Sequence, residues 1–357
     1  MLSKDKSYQY LETIQNIKES HSLVDIHVHP YEVFSPRGRY YPYPANHELY
    51  TKKESVYSPP TLTDLVVERQ KRGGKIFDLF SSPEIIRRNL CRLYAHTGPQ
   101  VFTDQMSLSG IDRVLLLPVA PPEGSLDSQM NEMKYMFGDD ARFLFGWSVA
   151  NFIKNHEILK FMTLAVSDFD IKAVKLHPNV TQINLQCAYG LERVESLVEA
   201  CGQLRIPLIV HGGRSPLLRN SEAFDYAAIT NLKNINWSTS KTPVCIAHAA
   251  SYGYDLEEIR TLIVPTLNRM LSIHSNLFVD LSGLDIEKLL FFLNRLDTDR
   301  ILFGSDTLYE PQWVAMVKLL HALSRTTKSV QEAFLRIVCF NPARFLSEGP
   351  KRYKETT

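Results

Sequence analysis

The 357-residue chain has no apolar run long enough to span a bilayer. It has no C-x-x-C pair. Its five cysteines, Cys91, Cys187, Cys201, Cys245 and Cys339, are scattered and odd in number. A disulfide framework or a structural zinc site is therefore not expected, and a reducing, cytoplasmic setting is. Neither sign of charge prevails: 40 Lys and Arg face 39 Asp and Glu, a net charge of +1. That removes compositional support for broad nucleic-acid or anionic-membrane binding. No G-x-S-x-G is present, so no serine nucleophile elbow is expected. No Gly-rich dinucleotide fingerprint follows the first strand. "RGGKIF" at 72–77 lacks the spacing of a phosphate loop. The opening "MLSKDKSYQY" is polar and has no apolar core of the kind a secretory leader needs.

What is present is a rhythm. Hydrophobic residues make up 44% of the chain, enough for a large core. From residue 111 onward, short apolar strands alternate with amphipathic stretches. The strands read "DRVLLLPVA", "RFLFGWSVA", "DIKAVKLHP", "IPLIVHGG", "PVCIAHAA", "NLFVDLSGL" and "RILFGSD". Between them, Leu191, Val194, Leu197, Val198, Cys201 and Leu204 recur at helical spacing, as do Ile286, Leu289, Leu290, Leu293 and Leu296. A helix after "DLEEIRTLIV" is expected to break near Pro265. Ser329 and Glu332 predict a capping box before Ala333. Short apolar strands flanked by helices suit a parallel sheet covered on its outside. With the opening strand "SLVDIHVHPY", residues 22–31, there are eight such units. Eight point to an α/β fold of the (β/α)8 TIM-barrel type rather than an open sheet.

The rhythm breaks at about 31–110, a Tyr/Pro-rich and then helical-looking stretch inserted after strand 1. A shorter break falls at about 212–242. Both are read as insertions in one barrel domain spanning 1–357, placed over the mouth where the C-terminal ends of barrel strands gather.

The opening strand poses a question: why put two imidazoles on one face of a buried strand? Side chains alternate along a strand, so Val24, Ile26 and Val28 are expected to face the helices, and Asp25, His27 and His29 the interior. By the same alternation Cys245 is expected to face the helices. A lone buried histidine is ordinarily a hydrogen-bonded core residue. Here, however, His177, His211 and His248 also end strands, and Asp306 ends the eighth. A carboxylate left unpaired at the end of an apolar strand would be costly, so a metal or cationic partner is expected for Asp306. The two glycines after His211 permit the close backbone approach of a crowded site.

With these residues in view, "VDIHVHP", "AVKLHP", "PLIVHGG", "CIAHAA", "LFGSD" and "CFNPARFL" resemble the metal-dependent amidohydrolase superfamily, and within it the amidohydrolase-related branch. That branch holds hydrolases, lactonases, hydratases and non-oxidative decarboxylases such as the aminocarboxymuconate-semialdehyde decarboxylases. The resemblance runs from residue 24 to 346. It implies that His27, His29, His211 and Asp306 hold one divalent ion, with zinc expected and manganese, iron or cobalt compatible with the same donors. The ion would lower the pKa of a water towards ~7. Asp306 and His248 would be the catalytic acid–base groups. A second ion is implied only if Lys175 is carboxylated, as in binuclear members; Lys175 and His177 otherwise stand as additional or neighbouring groups. The fourth-strand glutamate of the TatD nucleases is absent.

Arg214 is a candidate fork for a substrate carboxylate, and equally a solvated loop arginine. Arg37, Arg39, Tyr41 and Tyr43 are weaker candidates. Glu310 reads as a helix N-terminal carboxylate as readily as a site residue. The implied activity is hydrolysis of a C–N or C–O bond of a small molecule. The alternatives are decarboxylation or hydration on the same scaffold, or a barrel that binds without catalysing. A small-molecule substrate is the expected partner, with no nucleic acid or membrane. A homodimer is compatible with analogy to related barrels, which often pair.

Overall fold

The computed structural model describes residues 4–30, 99–120, 126–215, 218, 221–307 and 310–347. Eight parallel strands run in sequence order: β1 Val24–Val28, β2 Arg113–Leu116, β3 Phe143–Ser148, β4 Ala173–Leu176, β5 Leu208–Val210, β6 Val244–Ile246, β7 Leu277–Asp280 and β8 Ile301–Leu302. The cylinder closes between β8 and β1 through backbone hydrogen bonds. Ile26 N–H donates to the Phe303 carbonyl, Asp306 N–H to that of His27, and His29 N–H to that of Thr307. The (β/α)8 TIM barrel expected from the strand count is therefore the fold found. Within the insertion expected at 31–110, residues 31–98 lie outside the described residues, and with them Arg37, Arg39, Tyr41 and Tyr43. The helical-looking part of that insertion, around 62–76 and 84–94, falls there as well.

Two apolar layers hold the barrel. Val24, Ile26, Leu115, Leu117, Ala173, Ile209, Cys245, Phe278 and Leu302 fill its inside, with Leu144 packed against them. Phe345 joins them from helix Asn341–Ser347, its ring edge-on to Phe278 at 5.8 Å. Val28, Val114, Leu116, Val174, Leu176, Val210, Ile246, Val279 and Ile301 point outward into the helix layer. Each fully buried aliphatic of this kind is worth about 1.5–3 kcal/mol against its exposed state. The two layers together are thus the main stabilising term.

Strand β1 departs from simple alternation. Val24 and Ile26 face inward, whereas Val28 faces the helices. Asp25 lies on the helix side, where its Oδ2 accepts from Gln312 Nε2 at 3.0 Å. The register shows the cause: Asp25 pairs with Val114 but Val28 with Leu116, so β1 carries one residue more than its neighbour. A β-bulge of this kind flips the parity beyond it and re-aims a side chain. It lets His27 and His29 both face the interior even though Ile26 does too. The expected faces of Val24, Ile26 and Asp25 were reversed for this reason. Cys245 also faces inward, against expectation. Parity counted back from His248 fails because the chain leaves the strand conformation after Ile246.

The outer helices include Lys4–Lys18, Pro99–Ser109, Asp127–Phe137, Ile158–Phe169, Ala188–Leu204, Ile286–Leu293 and Gln312–Thr326. The expected break at Pro265 does not occur. Residues 256–273 stay helical because a π-turn, Ile259–Ile263, precedes Val264–Ile273. The wider turn relieves the clash and missing N–H that a proline brings to an α-helix. The capping box at Ser329 is not formed: its side chain makes no cap bond, and Glu332 pairs with Arg336 at 3.1 Å. Within 212–242, Ile229, Leu232 and Trp237 are fully buried and so belong to the core. Among the described residues no helix is long and apolar enough to cross a membrane.

Candidate metal centre

The site is built at the C-terminal ends of the strands. His27 Nδ1 lies 2.9 Å from Asp280 Oδ2. A carboxylate can only accept, so this contact favours a proton on Nδ1 and a bare Nε2. His29 Nδ1 lies 2.9 Å from the Leu117 carbonyl, which leaves its Nε2 bare in the neutral ring for the same reason. The two Nε2 atoms converge to 3.2 Å. Asp306 Oδ1 stands 3.4 Å from His29 Nε2 and 3.8 Å from His27 Nε2. Two imidazole nitrogens and a carboxylate oxygen thus converge on one point, a donor set that a shared cation would suit. Gly304 allows the crowding, because a Cβ there would stand 2.6 Å from His27 Cβ.

His248 and Asp306 reach the site through strained backbone. Both sit in the left-handed region, at φ 55° and 59°, and Ala249 and Ala250 follow at 46° and 56°. Such conformations in residues other than glycine cost on the order of 1–3 kcal/mol each and cluster at functional sites. Here hydrogen bonds hold them: His248 N–H donates to Asp280 Oδ1 at 2.9 Å, and Asp306 N–H to the His27 carbonyl at 2.9 Å. One ligand atom from each of His27, His248 and Asp306 lies within 4.8 Å of the others, and all three residues are buried.

Lys175 on β4 is fully buried, and its Nζ lies 2.8 Å from His27 Nε2. Burial pushes the ammonium down to about 8, against the opposing pull of Asp280 and Asp306. Burial, then the Lys175 charge, pushes His27 down to about 3. His177 and His211 are held well below the ordinary imidazole value, first by burial and then by the crowding of Lys175 and the neighbouring imidazoles. Their rings stack at 3.9 Å. His211 Nε2 is buried with no hydrogen-bond partner among the described residues. Its ring lies 5.0 Å from that of His248, and the Tyr252 ring borders both. Burial lifts the Asp280 and Asp306 carboxyls, but their histidine neighbours outweigh it and hold both below the usual carboxylate range.

Of the residues singled out in the sequence, His27, His29, Lys175, His177, His211, His248 and Asp306 therefore all reach one buried cluster. Arg214 stands apart from it. Its guanidinium bonds Asp225 at 3.2 Å and Glu258 at 2.8 Å and lies 4.0 Å over the Tyr254 ring, so two protein carboxylates already engage it. Glu310 pairs with Lys318 at 2.8 Å. Asp280 and Ser282 escaped the sequence reading. The signal was available in "LFVDLSGL": a carboxylate at the end of an apolar strand, the same argument that selected Asp306.

The donor set fits a divalent ion. Imidazole nitrogens with one carboxylate suit zinc, manganese, iron or cobalt. A ring whose far nitrogen is tied to a carboxylate or carbonyl is the usual form of a histidine ligand. The unpartnered His211 Nε2 adds one more buried donor. His27, His29, Asp306 and either His211 or His248 would hold the ion.

A family model described as amidohydrolase matches residues 159–346. No curated protein matches the chain. Among solved structures, the chain resembles a dihydroxybenzoic acid decarboxylase from Polaromonas sp. solved with bound manganese and the inhibitor 2-nitroresorcinol. The two are 10% identical, with 92% of this chain and 97% of that one covered and a TM-score of 0.55. It also resembles 5-carboxyvanillate decarboxylase from Sphingomonas paucimobilis (11% identity, 92% and 99% covered, TM-score 0.53). A third is 4-oxalomesaconate hydratase from Rhodopseudomonas palustris (13% identity, 91% and 96% covered, TM-score 0.52). At these identities the likeness is one of fold. The family match covers more than half of the chain and takes in the strand ends that carry His177, His211, His248 and Asp306, so this protein belongs to the amidohydrolase family of enzymes.

Proposed function

We propose that the protein is a metal-dependent enzyme that removes carbon dioxide from a small carboxylic acid without oxidation. The observation that carries this is the fully buried Lys175 ammonium beside His27. Within the pocket, Asp280 and Asp306 bring two negative charges, which a divalent ion would offset. The positive charge of Lys175 then remains, and a substrate carboxylate would balance it. An uncompensated buried charge is costly, so an anionic substrate suits this pocket better than a neutral one. The decarboxylases and the hydratase that share the fold support the same substrate class.

A bound divalent ion, zinc in our reading or manganese as in the Polaromonas relative, would supply a Lewis acid for a substrate oxygen. His27, His29 and Asp306 would hold it, with His211 completing the set. Lys175 would orient the substrate carboxylate. The bare Nε2 of His248 would take a proton from the substrate or solvent and return it to the carbon that loses carbon dioxide. Burial excludes bulk water and lowers the imidazole pKa, so the ring starts neutral and able to accept.

A second reading, hydrolysis of a C–N or C–O bond by activated water, keeps the same metal-holding residues but makes His248 the base toward water. The two separate in one assay. The zinc- and manganese-loaded enzyme is offered a panel of small hydroxylated carboxylates, amides and lactones. Carbon dioxide release from a carboxylate, abolished in Lys175→Met, supports decarboxylation. Cleavage of amides or lactones with no carbon dioxide from any acid refutes it.

A further inference from the structure

Asp280 and Ser282 belong to no motif singled out in the sequence, yet they touch both of the rings on which the site depends. Ser282 Oγ lies 2.5 Å from Asp280 Oδ1, which places the hydroxyl proton between them. The oxygen is then left to accept. It lies 3.0 Å from His27 Nδ1 and 2.9 Å from His248 Nδ1. His27 Nδ1 also meets Asp280 Oδ2 at 2.9 Å, and His248 Nδ1 the Ser282 carbonyl at 2.9 Å. Each of these contacts thus offers an acceptor to Nδ1. A bare Nδ1 on either ring would set lone pair against lone pair in a buried site. Independently, Lys175 Nζ at 2.8 Å can donate to His27 Nε2 only if that nitrogen is bare. The same Asp280 carboxylate takes the N–H of Ser282 and the N–H of left-handed His248, and so fixes where the second ring stands.

We propose that Asp280 and Ser282 are positioning residues that set one tautomer, protonated on Nδ1 and bare on Nε2, in His27 and His248 together. One carboxylate and one hydroxyl thereby couple the ring we read as a metal ligand to the ring we read as the acid–base group. The inference rests on that reading of His27 for its consequence, but the tautomers themselves do not depend on it. Metal-ligating histidines whose outer partner is removed typically lose 10–100-fold in metal affinity. Asparagine at 280 keeps the shape but offers one acceptor oxygen where Asp280 uses both.

The test is nitrogen NMR of histidine-labelled full-length protein after removal of metal with a chelator, with ring signals assigned by single His→Gln variants. Wild type should show His27 and His248 protonated on Nδ1 alone. Finding either ring protonated on Nε2 in the folded wild type overturns the proposal, whatever any variant does. Asp280→Asn should move His27 to a mixture of tautomers and weaken zinc binding, read by competition with a chromophoric chelator, by about 10–100-fold. A folded Asp280→Asn with wild-type tautomers and zinc affinity within twofold also overturns it. If wild type binds neither zinc, cobalt nor manganese, the ligand role of His27 fails, while the tautomer measurement still decides this inference.

Discussion

Lys175 Nζ lies 2.8 Å from His27 Nε2, so a protein cation already addresses the nitrogen that a metal would use. Removing that charge should favour the ion and harm the substrate. Lys175→Met is expected to tighten zinc binding by about tenfold or more, since two cations close together in a low-dielectric site repel strongly. It should also weaken inhibition by small carboxylates. Chelator competition and inhibitor titration check both. Loss of metal in Lys175→Met would instead favour a carboxylated lysine bridging two ions.

The pocket offers His211 and His248 as rival fourth donors. His211→Ala is expected to lower metal content and activity together, whereas His248→Ala should keep the metal and lose activity. Metal analysis of the purified variants decides it. An emptied site in His248→Ala would make His27, His248 and Asp306 the ligand group, in line with their spacing.

Burial of the imidazoles has a signed consequence for stability. His27 falls to about 3 in the fold from an ordinary 6.5, and His177, His211 and His248 shift in the same direction. The unfolded chain therefore binds more protons than the folded one below pH 6.5. This contribution is fully present above 6.5 and is lost as pH falls towards 3. The slope is up to about 1.4 kcal/mol per pH unit for each ring. Melting of the chelator-treated protein should drop steeply between pH 7 and 5. A flat profile would mean that these rings charge as readily in the fold as outside it.

Gly304 makes room for His27. A methyl group there would press on His27 Cβ at 2.6 Å, and an overpacked core loses about 1–3 kcal/mol. Gly304→Ala should lower the melting temperature and weaken zinc binding in parallel. Unchanged metal affinity would show that β1 yields without moving its ring.

Thiol reactivity should follow burial. Cys187 is exposed, whereas Cys201 and Cys245 are buried and burial raises both thiols. Under native conditions a maleimide should label Cys187 and spare the other two until denaturant is added, as peptide mapping would show.

Much of this was written along the chain. Eight apolar segments, several of them followed by a helical period, are a local record of a parallel barrel, because burial leaves its mark residue by residue. His27, His29, His177, His211, His248 and Asp306 were legible as strand ends for the same reason. Asp280 was missed although it obeys the rule that found Asp306, because its partners, His27 and the His248 backbone, are remote in sequence. The role read for Arg214 needed knowledge of Asp225 and Glu258, which lie 11 and 44 residues away along the chain.

Periodicity and composition within short windows were enough for the barrel and for most of the polar groups at its mouth. Only the tertiary structure decided their aim. The extra residue in β1 turns His27 inward beside Ile26, left-handed backbone at His248 and Asp306 carries those side chains into the pocket, and Asp280 holds the His27 ring and the His248 backbone. Each of these depends on hydrogen bonds between segments far apart in the chain, which no pattern of neighbours encodes.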